Sequence, residues 1–179
     1  MSISFELPKL PPFTAAEYET LVAPEGIRLE LVNGSLDVAA AAQMGWHYRT
    51  AQRLGSLLGA DREVLGETGV ILAPGTVRVP DLTRFRQGVV PDLLRSQYPA
   101  GDVDLVVEVI SPESDERDRA VKPLEYARAG IPELWLVERE ADTRVGAIVS
   151  IFHLTLQAVG TQYTLLRRAN LDDLEKEAA

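Results

Sequence analysis

The sequence predicts an α/β domain in which helices flank a mixed β-sheet, and three observations carry that expectation. Apolar residues recur at helical spacing between Gly45 and Leu58, through Tyr48, Ala51, Leu54 and Leu58. Residues 103–110 (VDLVVEVI) form a nearly continuous β-branched and apolar run, the pattern of a strand covered on both faces. Residues 27–32 and 35–39 alternate on either side of Asn33-Gly34, the strongest short signal for a β-hairpin.

The other elements follow in chain order. Residues 1–13 form an N-terminal arm with Pro8, Pro11 and Pro12 and without the apolar stretch of a targeting peptide. Thr14 and Glu17 have capping-box spacing, which predicts a short helix over TAAEYETLV, ended by Gly26. After the 45–58 helix, residues 63–72 read as one strand, Pro74-Gly75 as a turn and 76–79 as the next strand, with Asp81 at its end. Gly88, Pro91, Pro99 and Gly101 make 84–101 an irregular loop. A helix is expected within 115–129, closed by Gly130 and Pro132, followed by strands at 134–137, 147–154 and 162–166. The acidic end after Asn170 reads as a short frayed helix, so the expected division is one domain over 14–167 and an acidic tail over 168–179.

Bulk properties narrow the function classes. At 179 residues, 46% hydrophobic and 25% charged, the chain suits a single globular domain with a sizeable core. No stretch has the length of a membrane span, and a cytoplasmic location is the expectation. The absence of cysteine excludes a disulfide scaffold, a zinc knuckle and a thiol nucleophile. The two histidines, His47 and His153, form no HExxH, and no phosphate-binding glycine loop or GxSxG elbow occurs. A net charge of −9 argues against a bulk electrostatic grip on duplex DNA.

A charge inside the 103–110 run needs a reason, because an unpaired buried carboxylate costs several kcal/mol or takes up a proton. Glu108 is such a charge, and metal coordination or a salt bridge would each supply the reason. If the strand ending at Pro80-Asp81 pairs with the strand of Glu108, the two carboxylates converge, and hard oxygen donors of this kind hold Mg²⁺ or Mn²⁺ beside a phosphate. The plainer readings are a turn-capping Asp81 and a structurally paired Glu108. Lys122 could be a cation for the site or the partner of Asp118 on an exposed helix face, four residues before it. Pro123 complicates a helix at this point unless the regular helix begins there.

The order of these residues resembles a known family. Pro80-Asp81 at a strand end, Glu108 followed by Ser111-Pro112, an Asp-Arg pair, Lys122 and Tyr126 is similar to the Uma-two family of restriction-endonuclease-like proteins in the PD-(D/E)XK nuclease superfamily. IRLELVNGSL at 27–36, His47 at the start of the following helix, and YARAGIPELWLVE at 126–138 extend the resemblance from near Thr14 to near Leu154. It implies a restriction-endonuclease-like core and a metal-dependent endonuclease acting on DNA, often as a homodimer. Asp81 and Glu108 would bind Mg²⁺ or Mn²⁺, Glu30 would assist as a third acid, and Lys122 would support the attacking water or the transition state. Many nucleases of the superfamily place the lysine two residues after the acid, where this chain has Ile110, so the resemblance implies a lysine moved to the next helix. His47 and Tyr126 are possible contributors, against plainer roles as a cap or packed ring and as core. Glu30 shares a strand face with Arg28 and reads equally as solvated or arginine-paired, while His153 and Trp135 read as structural. A nuclease-derived binding or assembly module, with the acids kept as structural pairs, is the alternative function.

Overall fold

The computed structural model describes residues 12–40, 45–111, 117–141, 143, 145–157 and 160–179, so most of the expected N-terminal arm lies outside the described residues. Helix α1 (Ala15–Tyr18) has the expected capping box, the Glu17 carboxylate accepting the Thr14 N–H at 2.8 Å while Thr14 Oγ1 accepts the Glu17 N–H at 3.3 Å. It lasts one turn, shorter than the expected span TAAEYETLV. Strands β1 (Ile27–Val32) and β2 (Ser35–Ala40) form the hairpin, with Asn33 at φ 50° and Gly34 at φ 81°, the two positive values that a tight two-residue connection requires.

Helix α2 (Gly45–Leu58) buries His47, Thr50, Leu54 and Leu58 and leaves Tyr48 65% exposed. The expected face was built on Tyr48; the true one is rotated by a residue, because His47 has a buried acid to meet. The single strand expected over 63–72 is two strands, β3 (Val64–Gly66) and β4 (Gly69–Ala73). Glu67, at φ 46°, turns the chain between them and sends the halves to different sheets. Strands β5 (Thr76–Arg78), β6 (Leu82–Phe85) and β7 (Gln97–Pro99) follow, so the expected loop over 84–101 is irregular only in its middle. Gln97 hides β7 from an apolar reading: its buried amide donates to the Ala15 carbonyl at 2.6 Å.

Strand β8 (Val103–Val109) leads to a π-helical turn, Arg117–Val121, and then helix α3 (Lys122–Arg128). Pro123 sits in the first turn of α3, where its missing N–H costs no helical hydrogen bond. Strands β9 (Glu133–Arg139), β10 (Ala147–Gln157) and β11 (Gly160–Asn170) end the sheet, and helix α4 (Leu171–Ala178) ends the chain. The last two strands run well beyond the expected 147–154 and 162–166, since β11 is largely exposed and its extension shows no apolar period. The frayed terminal helix is corrected too: Leu171 and Leu174 of α4 are buried against Leu54 and Leu58 of α2.

The strands form two mixed sheets, ordered β2-β1-β5-β4-β7 and β11-β10-β9-β8-β6-β3. In the larger sheet β8 is central, parallel to β9 and antiparallel to β6. Leu105, Val107 and Val109 of β8 face the core made with α2 and α4, whereas Val106 and Ile110 face a second core with Val70 of β4 and Tyr126 of α3. Alternation therefore aims Glu108 into the second core, toward α3. Among the described residues no helix is long and apolar enough to cross a membrane.

Candidate active site

The strand expected to end at Asp81, β5, lies in the other sheet and does not pair with β8; Asp81 instead precedes β6, and the register of β6 on β8 sets the two acids opposite each other. Leu82 of β6 lies opposite Val107 of β8, so Asp81, one residue earlier, falls opposite Glu108. A direct contact fixes the approach, the Val109 N–H donating to Asp81 Oδ2 at 2.6 Å. The same oxygen lies 3.2 Å from His47 Nε2, and Oδ1 accepts from Arg28 at 2.8 Å. Burial alone would raise the Asp81 pKa, but the His47 hydrogen bond, the Arg28 charge and the Val109 N–H together hold it below the usual carboxylate range. An ionised Asp81 can only accept, so His47 is the donor, through Nε2–H.

Glu108 is 1% exposed and is gripped from α3 by two side chains one turn apart. Lys122 Nζ lies 2.9 Å from Oε2, and the Tyr126 hydroxyl donates to Oε1 at 2.5 Å. The Lys122 ammonium also lies 3.0 Å from Asp118 Oδ1 and 3.6 Å from Glu30 Oε1. Asp118 Oδ1 accepts no hydrogen bond despite that distance, so the contact is an ion pair with poor donor alignment. The expected Asp118–Lys122 pair thus exists, but buried, and Lys122 serves Glu108 at the same time. Burial drives the Glu108 pKa up to about 8, with Lys122 pulling down and the nearby Asp118, Asp81 and Glu30 pushing up. Lys122 goes up as well: burial opposes its charge, and Glu108, Glu30 and Asp118 outweigh that.

Glu30 is buried and arginine-paired. Arg78 Nη1 donates to Oε2 at 2.8 Å and the Val79 N–H to Oε1 at 3.0 Å, while Arg78 makes two further bonds to Glu125 at 2.7 and 3.0 Å. The six expected site residues thus fall in two adjacent buried clusters, Asp81 with His47 and Glu108 with Lys122, Tyr126 and Glu30, which meet where Asp81 accepts from the N–H of Val109, next to Glu108. Trp135 is core, and His153 is half exposed beside Glu133, away from these clusters. Sequence reading missed Arg78 and Glu125 as members, because a charged residue in a short strand or on a helix normally signals solvent. Arg28 could be found: it alternates with Glu30 along β1 and so shares its face.

The family model described as Putative restriction endonuclease, Uma-two, matches residues 15–177. The chain belongs to this family. The Uma-two match runs past the motif-bearing region through β11 and most of α4. Among solved structures, this Uma-two chain is similar to a crystal structure from Anabaena variabilis described as a putative nuclease, with 15% identity and a TM-score of 0.63 over 94% of this chain and 100% of that one. At that identity the likeness speaks for the nuclease-like fold. No curated protein matches the chain.

Proposed function

We propose that the protein is a divalent-metal-dependent endonuclease that hydrolyses DNA phosphodiester bonds. The observation that carries this reading is the convergence of Asp81 and Glu108 from paired strands, with Lys122 on the Glu108 carboxylate. Charge fits a divalent cation. Counting the side chains no more than a fifth exposed around these acids, Asp81, Glu108, Glu30, Asp118 and Glu125 outnumber Arg28, Arg78 and Lys122 by two, an excess that becomes two negative charges once a cation displaces the proton that burial holds on Glu108 below about pH 8. Donor chemistry fits as well, since carboxylate oxygens suit Mg²⁺ and Mn²⁺. Among the described residues no group of three or more metal-ligating side chains is assembled. Asp81 and Glu108 would hold the ion as a pair, with water and phosphate oxygens completing its shell, as is usual for Mg²⁺. Such an ion supplies an activated water and neutralises phosphate charge.

The protein groups divide the remaining work. Lys122 orients Glu108 and sets a fixed positive charge in a water-poor pocket, where it opposes the negative charge developing on a phosphate. Tyr126 fixes the other Glu108 oxygen. His47 and Arg28 keep Asp81 ionised and aimed. Glu30 is a positioning residue, held by Arg78 and reaching only the ammonium of Lys122.

One observation favours the second reading, a binding or assembly module without catalysis: both Asp81 oxygens are already occupied by protein donors. Incubating wild type and Asp81→Ala with linear, supercoiled and single-stranded DNA in Mg²⁺ or Mn²⁺ separates the two. Divalent-dependent cleavage that Asp81→Ala loses is the expected result. Equal residual cleavage removes Asp81 from the chemistry, and a folded wild type that cuts none of the three leaves the module.

A further inference from the structure

Asp81 is reached from one side. Glu108, Lys122 and Tyr126 are almost fully buried, whereas Asp81 and His47 line a cavity of about 480 Å³ between α2 and the paired strands β3 and β6. Ala51 and Leu82 give it apolar walls beside Gln52 and Glu67, and Gly55 of α2 and Gly66 of β3 present bare backbone to it. Tyr48 stands on the same wall, 65% exposed, its hydroxyl accepting a hydrogen bond from the Gln52 amide at 2.7 Å. Phosphate alone does not call for such walls. A cleft with apolar walls and an exposed aromatic ring beside it suits the stacking of a planar base.

Size and charge restrict the occupant further. The cavity is in the range that encloses a small ligand, and a base paired within a duplex cannot enter it. A net charge of −9 denies the chain a broad grip on phosphate backbone, so affinity must come from a local contact. Helix α2 supplies that contact, holding Arg49 and Arg53 and no acid, while Glu67 on the opposite wall of the cavity is paired to Arg28. Arg53 is tied to Asp172 and Glu175, which leaves Arg49 exposed on the outer face for a neighbouring phosphate.

We propose that this cavity takes one unpaired nucleotide of single-stranded DNA, its base stacked on Tyr48 and its phosphate turned toward the Asp81 and His47 end. The proposal rests on the nuclease reading and adds the substrate class: single-stranded or locally opened DNA is preferred over duplex, with a shallow salt dependence, since few phosphates are contacted.

The test is binding of a short single-stranded DNA carrying one 2-aminopurine, measured by fluorescence at two salt concentrations, with the matching duplex alongside. Tyr48→Ala should weaken binding about tenfold or more, the loss of one stacked base. Tyr48→Phe keeps the ring and should bind like wild type. Gly55→Leu should block the cavity: a Cβ there makes ordinary contact with Leu82 Cδ2 at 3.8 Å, leaving glycine favours the helix, and thermal melting checks that the variant is folded. Duplex binding as tight as single strand, or unchanged affinity in Tyr48→Ala and in a folded Gly55→Leu, overturns the proposal. Cleavage assays on the same variants keep the two readings apart. Cutting that needs Asp81 and ignores Tyr48 and Gly55 sinks the cavity proposal and spares the nuclease, whereas Tyr48-dependent binding without any cutting does the reverse.

Discussion

Glu108 is the residue where burial and charge conflict most, and its titration exposes the conflict. Its pKa in the folded, metal-free protein, about 8, lies above the ordinary 4.5. A raised folded pKa gives stability that is full below the unfolded value and lost as pH rises through the folded one. Metal-free protein should therefore lose up to a few kcal/mol of stability between about pH 4.5 and pH 8, and Glu108→Gln should flatten that slope in chelator-containing melts. Asp81 and Glu30 have lowered values and lose their contribution only at more acid pH, so they do not mask the effect. A wild type whose stability is level across this window would mean that Glu108 is not strained by its neighbours. Lys122 faces the opposite problem, one ammonium among three carboxylates. Lys122→Ala should cost about 3–5 kcal/mol, because it strands buried charge. Its effect on rate is better read from Lys122→Met, which removes the charge at similar length, beside Lys122→Arg, which keeps it. If the positive charge acts on the reacting phosphate, single-turnover cleavage by folded Lys122→Met should fall by about two orders of magnitude while Lys122→Arg retains most of it. An unchanged rate assigns Lys122 to structure alone.

At the level of elements, what was legible in the sequence follows physical signal strength. Asn33-Gly34 allows little besides a tight hairpin, and the 103–110 run allows little besides a buried strand, so both were placed closely. The acids were legible as types but not as a pair, because whether β6 pairs with β8 is a fact of topology rather than of local pattern. Glu67 was invisible as a break, since a positive φ at a non-glycine residue is enforced by tertiary structure. The buried face of α2 was misplaced because His47 and Thr50 are not apolar, and they are buried by what they meet. Helix α4 was misjudged from its acidic composition, although Leu171 and Leu174 carry its docking. Leu171→Ala should therefore lower the urea unfolding free energy by about 2–5 kcal/mol, as deletion of a fully buried leucine does. A change within about 0.5 kcal/mol, typical of a surface site, would return this helix to a tail.

For the molecule as a whole, two mixed sheets and their helices enclose buried clusters with two more acids than bases, in a chain of net charge −9. Such an excess is costly in the folded state and absent from the unfolded chain, where these acids lie far apart. A divalent cation held by Asp81 and Glu108 would cancel it and bind the native state preferentially. The most direct measurement is thermal unfolding of wild type, Asp81→Asn and Glu108→Gln with and without Mn²⁺ at matched ionic strength, so that general screening acts on all three alike. Wild type should gain about 2.7 kcal/mol at a hundred times its Kd, and both variants should lose most of that gain. Equal stabilisation of all three proteins would contradict the metal site on which the nuclease reading stands.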